Sequence, residues 1–217
     1  MLDYYLELSK KESDYLLYEE PMGTVSGVQT QIPVLLSEYQ FQSKEDVDAY
    51  LELMKTTPDY FNSLIAFEQE KAQKGLFMAS YTADTVIEQC QAFIDMGDSN
   101  YLISTFVDRI QKLTDLSESE KSDYIQKNAY MLQTYVLPAY QQLIKTVVEL
   151  KESGKNEEGL CYLPNGKEYY ELTVQASTGS ARTVPQLQKL TNNQMKDDLA
   201  AMKAVIGLTA EQAKEQQ

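Results

Sequence analysis

Histidine and tryptophan are absent from the 217 residues, cysteine occurs twice, and positive charge is scarce, with 19 Lys+Arg against 33 Asp+Glu and a net charge of −14. Each shortage closes a class of function. Without imidazole there is no Ser-His-Asp or Cys-His nucleophile pair, because nothing stands ready to take the proton. A His-ligated zinc or non-haem iron site is excluded on the same ground, as is a histidine pH switch. The acidity argues against nucleic acid, whose phosphates are neutralised by Lys and Arg, and against anionic lipid surfaces. Apolar runs are short: the longest, Ile32 to Leu36, falls far below the roughly 18 residues that span a bilayer. The opening MLDYYLELSKKESDY lacks the basic-then-apolar order of an export signal. Cys90 and Cys161 are too far apart for a CxxC or metal-ligand spacing; Cys90 falls on an apolar stripe, where a small buried hydrophobe is the plain reading.

What is present is helical punctuation. Apolar residues recur at spacings of three and four, and period-two alternation is nearly missing. Ser43 and Asp46 resemble a capping pair ahead of Val47, Tyr50, Leu51 and Met54. Thr57-Pro58 opens a second helix that Gly75 stops, and a third starting near Thr82 carries Val86, Ile87, Cys90, Phe93 and Ile94 on one face. Leu102, Phe106, Ile110 and Leu113 form another stripe. Ser117 and Glu120 make a capping box for the longest helix, in which Pro138 cannot donate to the Thr134 carbonyl, so the helix must kink or divide there. A last segment runs from Val184 through Leu187, Leu190, Leu199 and Met202 to Gly207. The expected fold is all-α: a multi-helix bundle or array forming one domain over residues 1–217, with one long Pro-kinked helix.

Two stretches read as irregular. Residues 20–42 hold Pro21, Gly23, Gly27 and Pro33, which suggest an extended lead into a short helix. Residues 154–183 are glycine-rich; a short strand or hairpin near Leu160 to Leu163 would close on the turn Pro164-Asn165-Gly166. Alternatively Asn165 caps a helix through Tyr169, Tyr170 and Val174 that Gly179 stops.

Acidic clusters such as Glu45-Asp46-Asp48 lie at helix starts, where the dipole and solvent explain them without metal or acid-base chemistry. Asp95 to Asp98 lacks the ligand pattern of a calcium loop. Tyrosine is abundant, with 16 against 6 Phe, and each ring carries a hydroxyl that suits a core boundary or a binding cleft equally. Tyr169 and Tyr170 adjoin the irregular stretch, and the run Ser177 to Arg182 adds the Thr178 hydroxyl, backbone N–H groups and the fork donor of Arg182, one of very few arginines beside Arg109. A guanidinium on a loop can grip a carboxylate bidentately. Tyr169, Tyr170, Thr178 and Arg182 are therefore the candidate substrate-binding residues; no catalytic or metal-ligating residue is assigned.

The runs GVQTQIPVLLSEYQF, SKEDVDAYLELM, FEQEKAQKGLFMASYTADTVIEQCQAFI, VLPAYQQLIKTVVELKESGKNEEGLCYLPNGKEYYE and STGSARTV resemble the amino-terminal half of the bacterial domain-of-unknown-function family numbered 885, over roughly Tyr18 to Met202. The resemblance implies relatives of zincin-like metallopeptidases, longer than this chain, whose zinc helix carries HExxPGHH. With no His here, none of those functional positions carries over. It implies zinc for the full-length parent and no cofactor in this chain. It also implies a missing carboxy-terminal catalytic half as partner, a peptide substrate, and an exported or lipid-anchored location. The blocks Gln29 to Glu38 and Tyr169 to Arg182 are then the parts expected to face a cleft, and Thr209 to Gln217 is expected to be either a severed end or a naturally early stop. A fragment of this kind is expected to expose an apolar face or to hide it in a homodimer. The competing reading is an autonomous acidic, Tyr-rich helical interaction module.

Overall fold

The computed structural model describes residues 2–154 and 157–206; the expected stop at Gly207 and the end Thr209 to Gln217 lie outside them. The residues fall into two compact units, one of Tyr15–Gly166 and one of Met1–Asp14 with Lys167–Gln217. Among the described residues there is no strand, and the array is all-α.

The helices are α1 (Leu2–Ser13), α2 (Val28–Glu38), α3 (Lys44–Lys55), α4 (Thr57–Gln73), α5 (Ser80–Asp95), α6 (Tyr101–Ile110), α7 (Glu118–Met131), α8 (Leu137–Leu150), α9 (Gly166–Thr178) and α10 (Val184–Ile206). Helix α8 is the centre of the larger unit and packs on α4 and α5. Its Tyr140, Leu143 and Val147 are buried against Phe61 of α4 and Val86, Cys90 and Phe93 of α5. The Tyr140 ring meets Phe61 edge-on at 4.9 Å and Phe93 at 4.6 Å, separations at which aromatic pairs add to simple burial.

The expected caps are present. Asp46 Oδ2 accepts the Ser43 N–H (3.0 Å), and Glu120 accepts the Ser117 N–H (3.0 Å) while Ser117 Oγ accepts the Glu120 N–H. Those bonds to Ser117 hold the Glu120 carboxyl below its usual range. Pro138 divides the long helix as expected: a π-helical turn, Leu132–Val136, joins α7 to α8 and absorbs the missing donor. Cys90 is buried and burial pushes its thiol up to about 12, so it behaves as a packing residue; Cys161 is exposed and unpaired.

Three expectations need correction. Residues 20–42 are not irregular throughout, because Val28–Glu38 is α-helical with Pro33 inside it. An interior proline deprives the carbonyl four residues earlier of its donor. That carbonyl belongs to Gln29, and the buried Tyr140 hydroxyl donates to it at 2.7 Å. A side chain distant in sequence thus replaces the lost backbone bond. Second, Leu160–Tyr162 is a 3-10 turn and not a strand or hairpin: Leu163 N–H donates to Leu160 O and Gly166 N–H to Leu163 O, which consumes the groups a strand pair would need. Third, the segment 154–183 is not irregular throughout, since Gly166–Thr178 is α-helical, the alternative in which Gly179 stops a helix through Tyr169 and Tyr170. Helix α1 had no sequence-based expectation, and α5 begins two residues before Thr82.

Candidate functional site

The candidate residues lie in the smaller unit, on α9 and the turn that follows. Asn165 adopts φ +51°, and a Cβ on Gly166 would stand 1.7 Å from the Leu160 carbonyl oxygen, so only glycine fits at the start of α9. Tyr170 and Val174 are four apart and share a face. Gly179, at φ +62°, ends the helix with its N–H donating to Gln175 O at 2.9 Å. Thr183 N–H then donates to Gln186 Oε1 (3.0 Å) and Thr183 O accepts from Leu187 N–H, which starts α10 with Pro185 in its first turn.

This reversal brings Tyr170 and Val174 opposite Val184, Leu187, Gln188, Thr191 and Asn192 across an open groove of about 580 Å³. One aromatic ring, three aliphatic side chains and three neutral polar side chains line it. Of the four candidates, only Tyr170, 48% exposed, is in that lining. Tyr169 is half-buried, with its carbonyl accepting the Thr173 hydroxyl (3.0 Å). Thr178 Oγ1 donates to Val174 O (2.7 Å) and accepts the Ser180 N–H, so its hydroxyl finishes the helix. Arg182 is exposed; its N–H and Nη1 approach Ser180 Oγ at 3.3 and 3.5 Å, and the rest of the fork has no partner among the described residues. Gln188, Thr191 and Asn192 were not singled out from sequence, although Gln188 is four residues beyond Val184, and Thr191 and Asn192 are three and four beyond Gln188, which places them on one helical face.

Several buried polar side chains of the larger unit donate to its own backbone carbonyls. Arg109 lies over the Phe41 and Tyr50 rings, 4.6 and 5.0 Å from their centroids, and Nη1 donates to Leu36 O (2.9 Å) and Tyr39 O (2.6 Å), closing the end of α2. Gln29 Nε2 donates to Gly23 O (2.7 Å) and Gln89 Oε1 (2.8 Å), while Gln89 Nε2 donates to Thr24 O (2.8 Å). Lys71 Nζ donates to Glu19 O (2.7 Å) and stands 3.6 Å from Glu68 Oε2. Glu68 is 1% exposed, and neither carboxyl oxygen has a hydrogen-bond partner among the described residues. Burial pushes its pKa up to about 7; Lys71 pulls it down and Glu20 raises it further.

The residues do not fit a zinc site. The sequence offers no imidazole, and among the described residues no three Cys, Asp or Glu side chains gather where an ion could be held.

No curated protein matches the sequence. Among solved structures, the "putative lipoprotein from Colwellia psychrerythraea" superposes with a TM-score of 0.78 at 16% identity, over 86% of this chain and 32% of that one. The fold is thus shared, and the chain spans about a third of that protein's length. No helix among the described residues is long and apolar enough to cross a membrane. The profile described as "Bacterial protein of unknown function (DUF885)" matches residues 1–216, and the chain belongs to that family.

Proposed function

We propose that this chain is a non-catalytic helical scaffold that contributes a substrate-holding wall to a zinc-dependent peptidase-like protein. The observation that carries the reading is the groove between α9 and α10, in which Tyr170 presents an amphipathic ring beside aliphatic and amide side chains. Such a lining suits an extended peptide: apolar side chains meet apolar side chains, and amides remain for the peptide backbone. Arg182 offers an exposed guanidinium fork, touched at Nη1 by Ser180 Oγ, for a terminal carboxylate, Tyr169 lies on the same helix, and Thr178 fixes the turn that presents Arg182. Hydrolysis and its zinc belong, on this reading, to a partner polypeptide outside these residues, and no step passes through a metal held here. The greater length of the structural relative supports a larger assembly, and the lipoprotein description of that relative supports a lipid-anchored, extracytoplasmic parent.

The test is a titration of the chain with a labelled peptide bearing either a free or an amidated carboxy-terminus. Tyr170→Ala is expected to weaken binding about tenfold. Arg182→Ala is expected to cost about fivefold for the free carboxylate and nothing for the amide. Equal affinities across all six combinations of parent, Tyr170→Ala or Arg182→Ala chain with either peptide would refute the reading.

A further inference from the structure

The unit Tyr15–Gly166 carries a second surface, unrelated to the α9–α10 groove. Three adjoining hollows share lining residues. The first, about 410 Å³, has Val34 and Leu35 of α2. The second, about 290 Å³, has Leu35 again with Leu53 of α3 and Tyr60 of α4. The third, about 300 Å³, has Tyr60 again with Leu64 and Phe67 of α4 and Glu19 of the segment before α2. They form one furrow, and its large apolar side chains are strongly exposed: Leu35 64%, Leu53 46% and Tyr60 51%. Isolated exposed apolar residues need no explanation, but a contiguous apolar furrow lined from three helices does.

Its exposed border is acidic. Glu19 lines one end and Glu20 follows it. Glu38 is three and four residues beyond Leu35 and Val34 on α2, hence on their side, and Asp59 stands one turn before the lining residue Ser63, whose hydroxyl reaches the Asp59 carbonyl. None of these four carboxylates has an ion-pair partner among the described residues. Of the cations beside it, Lys55, four residues before Asp59, is bound to Glu52, and Lys71, 1% exposed, donates to the Glu19 carbonyl and stands 3.6 Å from Glu68. A second copy of this chain would bring the same acidic border and its own net charge of −14, which argues against self-pairing.

We propose that this furrow is a docking site for a basic amphipathic helix of a different polypeptide. Leucine-like side chains at spacings of three and four would fill the hollows, and Lys or Arg on the flanks would meet Glu19, Glu20, Glu38 and Asp59. The proposal does not rest on the peptide reading of the other groove.

The experiment uses the intact chain and a labelled 18-residue helical peptide of Leu and Lys, beside the same peptide with Glu for Lys. The Leu/Lys peptide is expected to bind and the Leu/Glu peptide not. Leu53→Asn and Tyr60→Ala are each expected to weaken binding about tenfold, with Leu199→Asn on α10 as an unaffected control. Glu38→Gln with Asp59→Asn is expected to weaken it about fivefold, while Asp123→Asn with Glu149→Gln, away from the furrow, changes it less than twofold. Leu53 and Tyr60 are partly exposed, and thermal melts confirm that their variants fold. Four results would overturn the proposal: no binding of the Leu/Lys peptide, equal binding of both peptides, equal losses from rim and remote neutralisation, or a dimer in light scattering that Leu53→Asn dissociates.

Discussion

Single side chains decide the unusual features of this molecule. Pro33 survives inside α2 because Tyr140 donates to the Gln29 carbonyl that proline leaves bare. Tyr140→Phe leaves a buried acceptor unpaired and is expected to cost about 1–3 kcal/mol in urea unfolding. Pro33→Ala returns a backbone N–H to that carbonyl, so the double variant is expected to lose clearly less than the sum of the two single losses; strict additivity would disprove the replacement. Glu68 sets a pH dependence. Its pKa is raised from 4.5 to about 7 on folding, so the native state binds the extra proton. The contribution is full below pH 4.5 and is lost as pH rises through 7, an expected fall of about 3 kcal/mol. Glu68→Gln removes that slope, and a variant whose stability still declines between pH 5 and 8 as the parent's does would contradict the assignment.

Elements were legible wherever their cause is local. The boxes at Ser43 and Ser117, the division at Pro138 and the stop at Gly179 all rest on residues within one turn of each other, so the sequence alone carries them. A short helix was expected in this segment, but that α2 already begins at Val28 and runs through Pro33 was not legible, because the missing donor is supplied from α8. The 3-10 turn at Leu160–Tyr162 was mistaken for a strand, since Leu-Cys-Tyr-Leu before a Pro-Asn-Gly turn fits either geometry. There the backbone is tight enough to test. Gly166→Ala forces a Cβ onto the Leu160 carbonyl and is expected to destabilise by about 1–3 kcal/mol, whereas Gly23→Ala, with nothing within 4 Å, is expected to be near neutral in the same denaturation series.

For the whole molecule, family and helical class could be read from the sequence, but the composition of the groove could not. Of the four residues singled out, only Tyr170 lines it, while Thr178 and Arg182 belong to the turn and Tyr169 is half-buried beside them. The opposing wall comes from α10, whose Leu190, Met195, Leu199 and Met202 are exposed, although a sequence pattern cannot tell an apolar stripe that is packed from one left bare. The buried apolar side chains of this smaller unit are Leu8 and Leu172, among the described residues, against the extended core around α8 in the larger one. The central claim is that these helices hold a polypeptide and leave its chemistry to another part. Incubation of the intact chain with a peptide library and equimolar zinc, followed by mass spectrometry of bound and free fractions, tests it most directly. The account expects peptides enriched on the chain with every backbone bond intact; new amino-termini appearing with this chain alone would contradict it.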